Sequence, residues 1–156
     1  MDRQEFQEAK LFIFSDVERE IQLAKVNKQE LERLGVTPGG GNFLAALGLV
    51  CYTEFGGKLL SSTSEATKNF NDFFDRLGEA YKDFRKQQPD VYNVFRCGLA
   101  HEYYVKKNCT IYMLADRPGP GIGTEPNGRY LFVVESYCRD LKQAFDELEV
   151  ELYGQA

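Results

Sequence analysis

At 156 residues the chain fits one domain, able to bury roughly two-thirds of its unfolded surface. With 43% hydrophobic and 28% charged residues it has the balance of a globular protein, and 12 Phe and 9 Tyr with no Trp must supply much of the core. A net charge of −5 excludes a general positive field drawing the whole molecule to nucleic acid, so any such role needs a local basic patch.

An apolar cluster from Leu11 to Phe14 continues through Val17, Ile21, Ala24, Leu31 and Leu34, with a skipped step at Lys28. This spacing predicts one long amphipathic helix starting near Phe6 and stopped by Gly35 and Pro38-Gly39-Gly40-Gly41. Asn42 is placed to cap a second helix, nearly all apolar from Phe43 to Phe55 and ended by Gly56-Gly57. Ser62 and Glu65 have capping-box spacing ahead of Phe70, Phe73, Phe74, Leu77, Tyr81 and Phe84, a third helix running to about Arg85. That aromatic stripe is at core spacing and reads as packing rather than a base-stacking platform. Pro89-Asp90 starts a fourth helix over Val91 to Val105, with Gln88 extended before the proline.

The character then changes. Thr110 to Leu114 and Arg129 to Val134 are β-branched and aromatic, and the Gly/Pro-rich segment Pro118 to Gly128 lies between them, predicting a two-stranded hairpin with a long, mobile loop. Helical spacing resumes through Tyr137, Leu141, Phe145, Leu148 and Leu152. The elements therefore predict a single, mainly α domain over residues 1–156, with about five helices and a small β-hairpin before the C-terminal helix.

Cys51, Cys97, Cys109 and Cys138 form no C-x-x-C pair and join no histidine cluster, so neither a zinc site nor another cofactor is expected. Met1 to Glu5 lacks the basic-then-apolar profile of a signal peptide, and no apolar run approaches the ~18 residues needed to span a bilayer. The expectation is a cytoplasmic protein with reduced thiols and no membrane partner. Gly119-x-Gly121-x-Gly123 lacks the following helix that a nucleotide fingerprint requires and reads as a hairpin connection. Gly39-Gly40-Gly41-Asn42 precedes a helix and could offer N–H groups to an anion, but no lysine follows in the P-loop position, so helix capping is the reading.

The one histidine is His101, five residues after Arg96 and two before Tyr103. An imidazole that titrates near neutral pH beside a permanent guanidinium charge is a minimal kit for phosphodiester chemistry. On an α-helix the two would stand about 7.5 Å apart in rise and roughly 140° apart around the axis, whereas Arg96 and Tyr103 share a face. For both to meet one phosphate, the arginine must curl around the helix, Gly98 must admit a close approach, or a second copy must complete the site. Transesterification at a ribose 2′-OH benefits from both a base and an acid, and a twofold dimer would supply two histidines and two arginines in one cleft.

The Arg-x4-His-x-Tyr run inside a helical chain resembles the HEPN superfamily, small helical proteins that include metal-independent endoribonucleases. The resemblance implies a HEPN-like bundle and a homodimer with its cleft at the interface. It also implies that Arg96 stabilises the phosphate, that His101 is base or acid, and that Tyr103 belongs to the site. In HEPN toxins paired with a minimal nucleotidyltransferase antitoxin, the tyrosine can be the residue the partner modifies. The position after the arginine, often polar in the family, is Cys97 here. Lys106 and Lys107 would end the motif helix, where cations suit the helix dipole, and they are the candidate contacts for an RNA or nucleotide substrate. Two rival readings are a non-catalytic HEPN-like domain that binds nucleotide or RNA, and a structural helical dimer.

Overall fold

The computed structural model describes residues 1–61, 63–102, 109–115 and 118–154. Among them the chain forms six α-helices, one π-helix and a three-stranded sheet just before the last helix. The mainly α class and the position of the β element agree with the sequence pattern, while the number of helices exceeds about five.

The expected first helix is two. Asp2 and Glu5 form a reciprocal capping box at the start of α1 (Arg3–Lys25). The chain turns extended at Val26, and the Asn27 side chain then accepts from the Glu30 N–H at 2.9 Å to begin α2 (Lys28–Arg33). The break lies where the apolar period skips, since a solvated turn sacrifices no core contact there. α3 (Asn42–Ser61) runs through Gly56-Gly57 instead of stopping at it. A Cβ on Gly57 would lie 1.8 Å from the Asn69 carbonyl oxygen, and one on Gly56 would lie 2.5 Å from the Phe73 ring. These glycines let α3 and α4 (Ala66–Arg76) pack backbone to backbone.

Asn42 does not cap α3: its side-chain amide donates to the Ile111 carbonyl at 3.2 Å, tying the helix start to β1 (Thr110–Tyr112). Ser62 lies outside the described residues, and Glu65 makes no side-chain cap to α4. The aromatic stripe divides at Gly78 (φ 135°), which starts α5 (Glu79–Gln87). All six of its members are nonetheless buried, because the bend keeps both halves against one core.

The predicted hairpin is corrected. β1 pairs with β3 (Tyr130–Val133) in parallel, Ile111 opposite Phe132, and the antiparallel partner of β3 is β2 (Ile122–Thr124), inside the segment expected to be a mobile loop. Asn127-Gly128, with Gly128 at φ 80°, closes that tight turn, and Gly128 N–H donates to the Glu125 carbonyl at 2.9 Å. Gly121 is no flexible link either, because a Cβ there would meet the Tyr137 backbone nitrogen at 2.3 Å. Its N–H donates to the buried Tyr81 hydroxyl at 2.7 Å, which in turn donates to Asp140 at 2.6 Å.

α6 (Val134–Tyr153) carries the core. The Phe145 ring meets Phe6 and Phe14 of α1, Phe55 of α3 and Phe73 of α4, at centroid distances of 6.1, 5.8, 6.4 and 5.1 Å. Contrary to the expectation that no apolar run is long enough, α3 has the length and composition to cross a membrane. In this fold it lies against α1, α4, α6 and the π-helix, with well under half of its apolar stretch buried.

Candidate functional site

The motif segment is wound as a π-helix, Tyr92–Glu102, rather than the α-helix expected. Its inner face comes from Val94, Phe95 and Leu99, all buried, with the buried Val91 just before it. Phe95 stacks on Tyr130 of β3 at 5.7 Å, and Tyr92 meets Phe70 of α4 edge-on at 5.4 Å. The sheet and α4 thus fix the rotation of the helix and determine which residues remain at its outer side.

Bonding from i to i+5 widens the turn to about 4.4 residues, so a residue five positions on is turned roughly 50° from its starting point, against roughly 140° in an α-helix. Arg96 and His101 are five apart, so of the three ways they could meet a phosphate, the winding reduces the angular separation that the first must bridge. His101 is exposed to solvent.

Arg96 reaches the neighbouring helix. Its Nε donates to Glu54 Oε2 of α3 at 2.6 Å, with the two side chains 21% and 22% exposed. Burial opposes the guanidinium charge, but the Cys51 thiol, the Glu54 carboxylate and the Tyr92 hydroxyl outweigh it and push the pKa of Arg96 up. Burial is also the main reason the Cys51 thiol lies above its ordinary value, with the arginine pulling the other way, so Cys51 is not an activated nucleophile. Burial raises the Tyr92 phenol as well, reinforced by Glu54.

The structure therefore brings Arg96 together with Glu54, Cys51 and Tyr92, and leaves His101 exposed on the same helix. Tyr103, Lys106 and Lys107 lie outside the described residues. Glu54 escaped the sequence reading although a signal was present: it is the one charged residue between Phe43 and Gly57, and a carboxylate in an apolar helix requires a partner. Among the described residues, no group of three or more His, Cys, Asp or Glu could hold a metal ion.

Cys51 also borders an apolar hollow with Ala9, Phe12 and Ile13 of α1 and Tyr52 and Phe55 of α3. Phe12 is 69% exposed, and Leu44, further along α3, is 56% exposed. Cys51, which borders this hollow, is also the thiol that interacts with Arg96. No family model matches the chain, and neither the curated proteins nor the solved structures give a match.

Proposed function

We propose that the chain is a metal-independent endoribonuclease of the HEPN type that cleaves RNA at a cleft shared by two copies. The observation that carries this reading is the π winding of Tyr92–Glu102, which turns an exposed His101 nearer the face of an anchored Arg96 than an α-helix would. One His101 takes the 2′-OH proton while the 2′-oxygen attacks phosphorus. The P–O5′ bond breaks, and His101 of the second copy, as imidazolium, protonates the departing 5′-oxygen. The products are a 2′,3′-cyclic phosphate and a free 5′-OH, and the Arg96 charge stabilises the phosphorane.

The dimer is supported by the chemistry of a single histidine and by the exposed apolar side chains of α1 and α3, which adjoin Cys51 and hence the Arg96–Glu54 pair. Tyr103 is where a minimal nucleotidyltransferase antitoxin would act, Lys106 and Lys107 would lengthen the track for the RNA backbone, and a cytoplasmic location belongs to the same reading.

A second reading is favoured by the ion pair itself: Arg96 as a strut between the π-helix and α3, with no chemistry. Two substitutions separate them. His101→Ala is expected to abolish turnover with RNA affinity nearly unchanged, and Arg96→Ala to weaken both, since its charge meets the phosphate in ground and transition states. Cleavage of a labelled oligonucleotide, fluorescence anisotropy for binding and circular dichroism on the same samples decide it. Loss of folding without any wild-type cleavage would assign Arg96 to the strut.

A further inference from the structure

We infer that Glu54 is the positioning residue of the site, holding Arg96 by Nε so that the guanidinium presents its remaining edge to an RNA phosphate; this rests on the ribonuclease reading. A guanidinium has five N–H donors in a fixed plane, one on Nε and four on the two terminal nitrogens. The 2.6 Å contact to Glu54 goes through Nε. A guanidinium grips two oxygens in parallel either through Nε and one terminal nitrogen or through its two terminal nitrogens; the Nε contact occupies the first edge and, among the described residues, leaves the second to a phosphate.

Glu54 is well suited to this task. It stands on α3, the helix locked to α4 by Gly56 and Gly57 and to α6 through the Thr53 hydroxyl, 2.9 Å from that of Tyr137. Arg96 stands on the π-helix, fixed independently by Phe95 on β3. The ion pair thus joins two rigid elements and holds a long side chain that would otherwise sample many rotamers. The carboxylate also has a cost for RNA affinity, since it places a negative charge beside the position of the phosphate. Orientation and affinity therefore respond differently to its removal.

The experiment compares wild type, Glu54→Gln and Glu54→Ala, with His101→Ala as the inactive control, in steady-state cleavage of a fluorescent single-stranded RNA and in thermal melts. Glu54→Gln keeps an oxygen acceptor for Nε and loses the charge, so kcat is expected to stay within about threefold while KM falls. Glu54→Ala releases the guanidinium, so kcat is expected to fall about tenfold or more, given how steeply rate depends on placement. A merely structural glutamate would not give rescue of kcat by Gln with a lowered KM. Should Glu54→Ala fail to fold, the Gln variant alone decides through its KM. Unchanged kinetics in both variants, or equal losses in both, overturns the positioning role while wild-type cleavage above the His101→Ala control leaves the ribonuclease reading standing. Wild-type and His101→Ala rates that are equal overturn both together.

Discussion

A carboxylate in the middle of an apolar helix costs several kcal/mol of lost hydration unless a cation meets it, and here Arg96 meets Glu54 from the next helix. Arg96 and His101 were legible from residue type and spacing, and Glu54 could have been found by asking what neutralises the one acid between Phe43 and Gly57. Its partner was not legible, because contacts 42 residues apart leave no local trace. A second acid shows how such contacts set stability. Glu149 of α6 accepts hydrogen bonds from Lys10 and from Gln7, the latter at 2.7 Å, and Arg3 lies 3.7 Å away. The Lys10 ammonium, then the Gln7 amide, hold its carboxyl below the ordinary carboxylate range. A depressed folded-state pKa gives stability that is fully present above the unfolded value and is lost as pH falls through the folded one. Glu149→Gln is therefore expected to cost about 1 kcal/mol at neutral pH. The deficit should shrink towards zero as pH drops below about 4, through the carboxylate range. Thermal melts across pH check this, and a deficit independent of pH would contradict it.

At the scale of elements, periodicity located the helical segments among the described residues but not their breaks. Gly56-Gly57 has the composition of a terminator, yet its work is to admit the α4 backbone, a property of the neighbour and not of α3 itself. The π winding was hidden for a related reason: Val91, Phe95 and Leu99 recur every four residues, a spacing that an α-helix also accommodates. The β2–β3 hairpin, by contrast, was legible at Asn127-Gly128, the strongest short hairpin signal, and was obscured by the glycines and prolines before it. The two kinds of glycine in α3 should respond oppositely to a methyl group. Gly57→Ala is expected to destabilise by about 3 kcal/mol or more through overpacking. Gly48→Ala, whose Cβ would find its nearest neighbour, the Tyr52 ring, at 3.5 Å, should stabilise by roughly 0.5 kcal/mol through helix propensity. Chemical denaturation of the two variants measures this, and similar effects would refute the close-approach account.

For the whole molecule, the charge of −5 means that, in the proposed ribonuclease, RNA would be held by a few cations around the motif and not by a general field. The proposed dimer gathers those cations in one place, and a charge on its apolar face should disperse them. Phe12→Glu is expected to shift sedimentation from dimer to monomer and to reduce cleavage in parallel, because each cleft would then hold one histidine. A dimeric, fully active Phe12→Glu would place the interface elsewhere. In the proposed reaction Arg96 and His101 break RNA by internal transesterification. Its most direct measurement is the chemistry of the new ends, read by mass spectrometry after incubating a defined RNA with wild type and His101→Ala in excess EDTA. Internal transesterification predicts 2′,3′-cyclic phosphate and 5′-OH termini from the wild type and intact RNA from the variant. Cleavage that stops in EDTA and returns with magnesium, or equal cleavage by both proteins, would contradict it.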